Sequence, residues 1–298
     1  MLKSEVWLMR LAFKGMTAMT VMAAMVQPLL AHESTEADKI LTGEHSSDNL
    51  PLWEAGLIAG GMTQPAYPGA DERASLLLGL PFVVYRGEYL RIDRNTVGVR
   101  AIKTPRTEVD IGFSASLGSR AADSEARRGM DDLGTLLEFG PRLKINLGEV
   151  SDGRSTSRIQ IPMRAVFDAN DHFKYHGIAY ELQWVKDMEL PDNWIVTTNL
   201  GAVFGDQQLA DTFYRVAPAE ATPVRPAYNA KSGLIALRAT LWASRLFTPD
   251  ARFFSYIRAD SVTGSANYDS PLVRRETGWT IGIGLAWTLA HSERKARD

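Results

Sequence analysis

The sequence predicts an all-β protein, namely a transmembrane, antiparallel, up-and-down β-barrel of the outer-membrane type with about twelve strands (10–12). Three observations predict this fold class: apolar and polar residues alternate with period two, the alternating segments are long, and the connections between them are alternately short and long. Composition by itself indicates a soluble protein, because 45% apolar residues and a formal charge of −2 are ordinary values. In a barrel wall, however, only every second residue meets lipid, so an average apolar fraction is compatible with a membrane protein.

Residues 1–31 have the pattern of a secretory signal peptide. A basic start precedes an uncharged stretch at 15–30, and the small residue Ala31 follows it. A retained membrane anchor is the alternative interpretation, but Gln27-Pro28 interrupts the short apolar run. Residues 32–50 are polar without a strong period, and we predict that they form a flexible leader before the fold.

About twelve segments alternate over a length suitable for strands. They lie near 52–62, 74–85, 88–93, 96–103, 107–117, 134–147, 157–168, 177–188, 193–204, 232–245, 251–262 and 277–288. Several are about 10–12 residues long, whereas a typical globular strand has about 5–6 residues and a tilted transmembrane strand about 9–11. We therefore predict a barrel over residues 51–288, followed by a charged C-terminal tail at 289–298.

The polar face of these strands is predicted to point inward. In 107–117, for example, the odd positions from Val109 onward are apolar and the even positions are polar or glycine. A soluble sandwich or a lipocalin-like barrel would bury the apolar face instead. The polar faces are often small or uncharged, as at Ser114 and Ser116, which suits a crowded lumen. The charged residues that we predict to line this lumen and to pair across it are Glu138, Arg142, Lys144, Arg158, Arg164, Glu181, Arg238, Arg258 and Asp260.

The connections provide an independent argument for an outer-membrane barrel. If the first strand rises from the periplasm, most connections after even strands are tight, and those after odd strands are longer and more polar. The tight Arg94-Asn95 connection is an exception. Tryptophan placement agrees, because indole rings prefer the membrane interface. The tryptophans near predicted strand ends are Trp53, Trp194, Trp279 and Trp287.

Several short motifs then identify a family resemblance. The loop after the first strand reads YPGADE, with Tyr67, Pro68, Gly69, Asp71 and Glu72, and a proline-bearing strand with Leu80-Pro81-Phe82 follows it. Further motifs lie at 129–140, at 213–233 and at 270–275 (SPLVRR). Together, over roughly residues 50–288, they resemble the MipA/OmpV family of bacterial outer-membrane proteins. One departure is the charged tail, because outer-membrane barrels commonly end in an aromatic residue.

The resemblance implies an outer-membrane β-barrel in contact with lipid and lipopolysaccharide. It also brings the description "MltA-interacting protein", a scaffold that links a murein-degrading transglycosylase to a murein-synthesising enzyme. The resemblance therefore implies these two murein enzymes as partners, although it assigns no residue of this sequence to partner binding. A narrow passive pore for small solutes shares the predicted fold and remains an alternative.

Residues suited to catalysis or metal binding are few. The chain has no cysteine, and of its five histidines only His172 and His176 lie between the leader and the tail. Their spacing could bind a metal on a helix, but they fall in a predicted connection between strands. We expect no cofactor, no metal site and no enzymatic activity, and a barrel-embedded lipid hydrolase is the less favoured alternative. The near-neutral charge argues against a nucleic-acid partner.

Overall fold

A computed structural model describes residues 51–86, 91–93, 96–98, 102–104, 106–149 and 154–295. The predicted signal peptide at 1–31, the predicted leader at 32–50 and the tight connection at Arg94-Asn95 lie outside these residues. Within the described part of the chain, no helix combines the length and the apolar character needed to cross a bilayer.

The described chain is almost entirely antiparallel β-structure, as predicted. Its strands are β1 (Trp53–Pro65), β2 (Arg73–Arg86), β3 (Arg91–Asp93), β4 (Thr96–Gly98), β5 (Ile102–Lys103), β6 (Thr107–Ser116), β7 (Leu136–Glu149), β8 (Ser155–Asp168), β9 (Lys174–Leu190), β10 (Trp194–Gly205), β11 (Gly233–Thr248), β12 (Ala251–Ser261) and β13 (Thr277–His291). One α-helix, α1 (Gln207–Tyr214), and two short 3₁₀ helices, Ala121–Asp123 and Pro218–Glu220, lie in the connections.

Each long strand pairs with the strands next to it in the chain, and β1 pairs with β13, which is the up-and-down topology. Ten strands are long, from 10 residues in β6 to 17 in β9, and are therefore long enough for a tilted membrane crossing. Among the described residues, β4 and β5 are the two end strands of the hydrogen-bonded sheet, so the sheet is not closed there. Within the predicted strand at 96–103, the structure describes β4 and β5. The fold class is confirmed as an outer-membrane type of β-barrel with ten long strands.

The two faces of the sheet have the polarity of a membrane barrel. In β13, every residue from Thr277 to Trp287 alternates between exposed and buried. Ile283 is 57% exposed and occupies the outer face, whereas Thr280 and the glycines of this strand are buried on the inner face. Among the described residues, buried charged side chains of both signs lie on the inner face, and large apolar side chains such as Leu77 are exposed on the outer face. This arrangement is the reverse of a soluble β-protein.

The strand ends refine two of the predicted boundaries. β13 continues to His291, three residues beyond the predicted end of the barrel at 288. The Ser292 hydroxyl then accepts hydrogen bonds from the backbone N–H groups of Leu52 and Trp53, at 3.0 and 3.4 Å. The start of the predicted tail is therefore attached to β1.

Helix α1 was not predicted. Asp206 caps it by accepting a hydrogen bond from the Leu209 N–H at 2.9 Å, and Leu209, Ala210 and Tyr214 form its buried side. Eight residues are too few to establish a helical period in a polar loop, so only the N-cap followed by apolar residues four positions apart could have indicated it.

Candidate functional site

Six of the nine predicted lumen residues form one ion network near the end of the barrel where β1 ends and β2 begins, called here the upper end. The members of this upper ion network are Glu138, Arg164, Glu181, Arg238, Asp260 and Arg258, which come from β7, β8, β9, β11 and β12. Acids and bases alternate along it, and it contains three of each, so the network is formally neutral.

The upper ion network is held by short contacts at both ends and by longer ones in the middle. Arg164 Nε donates to Glu138 at 2.9 Å, and Arg238 Nε donates to Asp260 at 2.6 Å. Arg258 Nε lies 2.9 Å from the other oxygen of Asp260. Between these pairs, Glu181 lies 3.6 Å from both Arg164 and Arg238, with only 1% of the residue exposed. Among the described residues, its carboxylate accepts no hydrogen bond.

The other three predicted residues lie towards the lower end, where the connections between strands are tight. Arg142 Nε donates to Asp110 at 2.9 Å, and Lys144 Nζ lies 2.9 Å from Asp110 and 3.3 Å from Glu108. Nearby strands carry a further pair, Arg158 with Asp187. We call these six residues the lower ion network.

Sequence reasoning missed three members of the lower ion network: Glu108, Asp110 and Asp187. Glu108 and Asp110 alternate with apolar residues in 107–117, so the period-two pattern already placed them on the polar face. Their charge and their even positions in this pattern were therefore sufficient to predict that these two residues lie on the inner face.

The inner face also contains an apolar patch that the sequence did not predict. Ile58, Met62, Trp242, Phe254 and Tyr256 are buried together on β1, β11 and β12. The rings of Trp242 and Tyr256 lie 4.6 Å apart. The interior is therefore ionic along one part of the wall and apolar along another.

The long connections at the upper end fold together into a structure that we call the loop cap, formed by residues 66–72, 117–135, 206–232 and 262–276. It has an apolar core of its own, continuous with the upper ends of several strands. The most buried side chains of the cap include Tyr214, Val216, Val262 and Leu272. These connections are therefore packed together rather than solvated separately.

The family-motif loop lies inside this cap. The Tyr67 hydroxyl donates to the Leu272 carbonyl at 2.8 Å, and its ring contacts Tyr214 edge-on with 6.4 Å between centroids. The Tyr214 hydroxyl donates to the Pro68 carbonyl at 3.0 Å. Gly69 has φ +93°, and its carbonyl accepts the N–H groups of Arg274 and Arg275. The YPGADE and SPLVRR motifs are therefore in direct contact.

The two acidic residues of the motif lie at the edge of the cap. Asp71 pairs with Arg274 at 3.9 Å, and Glu72 accepts the N–H of Glu125 at 2.9 Å. Burial and the neighbouring Glu72 carboxyl raise the pKa of Asp71 above its ordinary range. Burial acts to raise the pKa of Glu72, but hydrogen bonds from the backbone and from Ser124 outweigh it and hold this pKa below its ordinary range. The pair joins the first loop of the cap to the second and the last.

Two buried arginines, also missed by sequence reasoning, fasten the loops of the cap to one another. The Arg225 guanidinium donates to the backbone carbonyls of Ala126 and Arg128 at 2.9 and 3.0 Å, and to that of Glu220 within its own loop. Arg127 donates to the Phe213 carbonyl, and its guanidinium lies 5.7 Å from the centre of the Tyr67 ring. No sequence pattern identifies a partner that is a backbone carbonyl about a hundred residues away.

A cavity of about 90 Å³ lies between the upper ion network and the loop cap. Its charged lining residues are Arg164, Arg238, Arg258, Glu138 and Asp260. Its apolar and aromatic lining residues include Val203, Leu209, Phe213, Ile235 and Tyr67. The sequence did not predict this cavity, because it is bounded partly by the folded loops.

The two histidines singled out from the sequence are separated in the structure. His172 is fully exposed in a turn, and His176 lies in β9 with Nδ1 2.9 Å from the Thr212 hydroxyl. Among the described residues, no group of three or more histidine or acidic side chains is arranged to hold a metal ion.

Comparison with known proteins identifies the family. The family model described as "MltA-interacting protein MipA" matches residues 57–289, and the chain belongs to this family. No curated protein matches the sequence. Since the MipA family is one of outer-membrane proteins and the exposed faces of the strands are apolar, the protein is located in the bacterial outer membrane.

Solved structures similar to this chain include three outer-membrane proteins. The NanC porin is 12% identical with a TM-score of 0.38, over 78% of this chain and 100% of the porin. An outer-membrane channel from Pseudomonas putida F1 is 10% identical with a TM-score of 0.37, over 83% and 99%. Outer membrane phospholipase A from Escherichia coli is 9% identical with a TM-score of 0.32, over 78% and 92%.

Proposed function

We propose that this outer-membrane β-barrel is a scaffold that holds murein-processing enzymes at the membrane and does not conduct solutes. The observation that carries the proposal is the filled interior: two ion networks and an apolar patch occupy the inner face, and the loop cap covers the upper end. A passive pore needs a continuous aqueous path, which these contacts oppose.

The proposed partners follow from the description of the family as MltA-interacting and from the family resemblance of the sequence, which implies a murein transglycosylase and a murein-synthesising enzyme. We place their contact at the lower end, because murein lies on the periplasmic side of the outer membrane. The β9–β10 turn is suited to a rigid contact, since Asp192 and Asn193 adopt positive φ and the turn is tight.

Planar-bilayer recording tests the absence of conduction. We expect the purified full-length barrel to produce no stepwise conductance in 1 M KCl, while a known porin inserted from the same detergent serves as the positive control. Regular conductance steps from the folded barrel would support the passive pore and contradict the proposal.

Capture of a purified murein transglycosylase by the immobilised barrel tests the scaffold role. We expect saturable capture that Asp192→Lys weakens at least tenfold. The matched control is Val224→Lys, because Val224 is exposed in the cap at the opposite end. No capture by the folded wild-type barrel, or an equal loss in both variants, would contradict the proposed role or its location.

Lipid hydrolysis remains the less favoured alternative. His176 contacts the hydroxyl of a threonine, Thr212, rather than that of a serine. We expect no release of fatty acid from phospholipid vesicles by the purified barrel. If hydrolysis occurs and His176→Ala abolishes it, the protein is an enzyme.

A further inference from the structure

We propose that the cavity between the upper ion network and the loop cap binds a small organic anion, namely a carboxylate with a short apolar body. This inference does not depend on the proposed scaffold role. It depends on the donors, the lining and the size of the cavity.

Guanidinium donors remain available at the cavity. An arginine carries five N–H donors. Among the described residues, Arg164 and Arg238 each make one hydrogen bond, through Nε. Their contacts to Glu181 are 3.6 Å long, which is beyond hydrogen-bond distance. The terminal nitrogens of two arginines that line the cavity are therefore available to a ligand.

The carboxylates that line the cavity are already engaged. Three arginines and two carboxylates line it, and the Glu181 carboxylate, 3.6 Å from Arg164 and Arg238, balances the third arginine. Glu138 and Asp260 already accept from these arginines through their carboxylates. An added anion would therefore meet the terminal N–H donors of Arg164 and Arg238, whereas an added cation would meet two carboxylates that already accept from arginines. Carboxylates form strong, geometrically specific pairs with guanidinium groups.

Part of the cavity lining is apolar. Leu209 and Phe213 of α1, together with Val203 of β10 and Ile235 of β11, line the cavity along with the arginines. An ion without an apolar part would leave these side chains in contact with water. A short aliphatic tail would cover them, and the burial of apolar surface is favourable.

The size of the cavity limits the ligand. A water molecule needs a cavity of about 10–15 Å³. A cavity of about 90 Å³ therefore accepts a body of only a few heavy atoms. Butyrate has a suitable size and is the probe that we choose. Longer fatty acids are too large for the cavity as it stands.

Titration calorimetry on the full-length barrel in detergent tests the proposal with three probes of similar size: butyrate, butylamine and butanol. We expect saturable binding of butyrate and at least tenfold weaker binding of the other two. Equal binding of all three, or no binding of butyrate by folded protein, would overturn the proposal.

Two variants locate the binding in the cavity. Val203→Phe fills the cavity without changing a charge, and we expect it to weaken butyrate binding at least tenfold. Glu138→Gln combined with Arg164→Gln removes one charge pair that lines the cavity and should also weaken binding.

The matched control is Glu108→Gln combined with Lys144→Gln, which removes a pair of the lower ion network outside the cavity. We expect this control to bind butyrate as the wild type does. Heat-modifiable migration on gels reports whether each variant is folded. Unchanged binding in a folded Val203→Phe barrel would overturn the assignment to this cavity, and if a variant does not fold, the three-probe comparison on the wild type still decides.

Discussion

The loop cap buries mainly apolar side chains, whereas the barrel wall buries many charged side chains and exposes apolar ones. In the cap, apolar residues such as Leu272 are fully buried and charged residues such as Asp269 are exposed. In the wall, Asp260 is buried and Ile283 is exposed. The two regions adjoin each other at the upper ion network, so the solvent outside each region decides which arrangement is stable. Water surrounds the cap, and lipid surrounds the wall.

The comparison also separates two kinds of stabilisation. The cap is held by apolar packing and by arginine donors that reach backbone carbonyls. The wall is held by backbone ladders and by charges that neutralise one another inside. Substitutions that act on only one of these can therefore be distinguished.

The largest effect is expected for Asp260→Ala. This change leaves Arg238 and Arg258 without their shared carboxylate inside the barrel, and breaking a buried ion pair typically costs about 3–5 kcal/mol. Urea unfolding in lipid vesicles would measure the loss. The control is Asp269→Ala in the exposed part of the cap, where we expect a change within about 0.5 kcal/mol. Equal effects of the two changes would contradict the distinction between wall and cap.

The second-largest effect concerns exposed apolar side chains, which contact lipid in the wall and water in the cap. Ile283→Arg places a charge on the lipid face and should destabilise the barrel by about 2–4 kcal/mol near the midplane. Val224→Arg, at a residue that is 87% exposed in the cap, should cost almost nothing. Unfolding in vesicles again measures both. If Ile283→Arg is harmless, the outer face has been assigned wrongly.

A smaller effect is expected for Gly69→Ala in the family motif. Its φ of +93° is unfavourable for a residue with a side chain, and the new Cβ would lie 3.3 Å from a methyl group of Val273. The strain is about 1–3 kcal/mol and should loosen the cap while the wall stays folded. Limited proteolysis of the cap measures it. Gly79→Ala in β2, where a Cβ meets nothing within 4 Å, is the control and should leave cleavage unchanged.

The smallest effect is a loss of cap stability at alkaline pH. Burial raises the pKa of Tyr67 and of Tyr214 above the ordinary value of 10.0. A raised pKa in the folded state means that the neutral phenols stabilise the cap below pH 10 and that this contribution is lost as the pH rises further. We expect the protection factors of the cap amides, which are corrected for the intrinsic rise of exchange with pH, to fall above pH 10, and to fall less in Tyr214→Phe. If the pH dependence of cap protection is the same in Tyr214→Phe as in the wild type, its assignment to the buried Tyr214 phenol is wrong.

The strands of the wall could be predicted from the sequence because the alternation of apolar and polar residues involves only neighbouring positions. Period two over long segments is enough to place β9 and β13 and to find charged positions such as Glu181 and Arg238. The rule fails where both faces of a strand are apolar. Leu241 and Trp242 are adjacent and both apolar, so the alternation of apolar and polar residues does not show that Trp242 belongs to the interior patch.

The cap could not be predicted in the same way because its contacts are long-range. Arg225 is recognised as a buried donor only when residues 126–128 are already beside it. The family motifs indicated the right loops, and Tyr67 and Gly69 are at the centre of the cap. The motifs did not indicate that these loops pack together, because an apolar core of short loop segments has no period to detect.

The pairing of β1 with β13 has a consequence for the order of folding. The hydrogen bond from Trp53 to Ser292 joins positions 239 residues apart, so β1 has no partner on that side until nearly all of the barrel sequence has been delivered. Contacts of such separation form slowly, and an unpaired strand edge is prone to aggregation in the meantime. Every other neighbour of a long strand lies next to it in the chain, so we expect the β1 edge to be the part of this protein that most needs protection by a periplasmic chaperone during assembly.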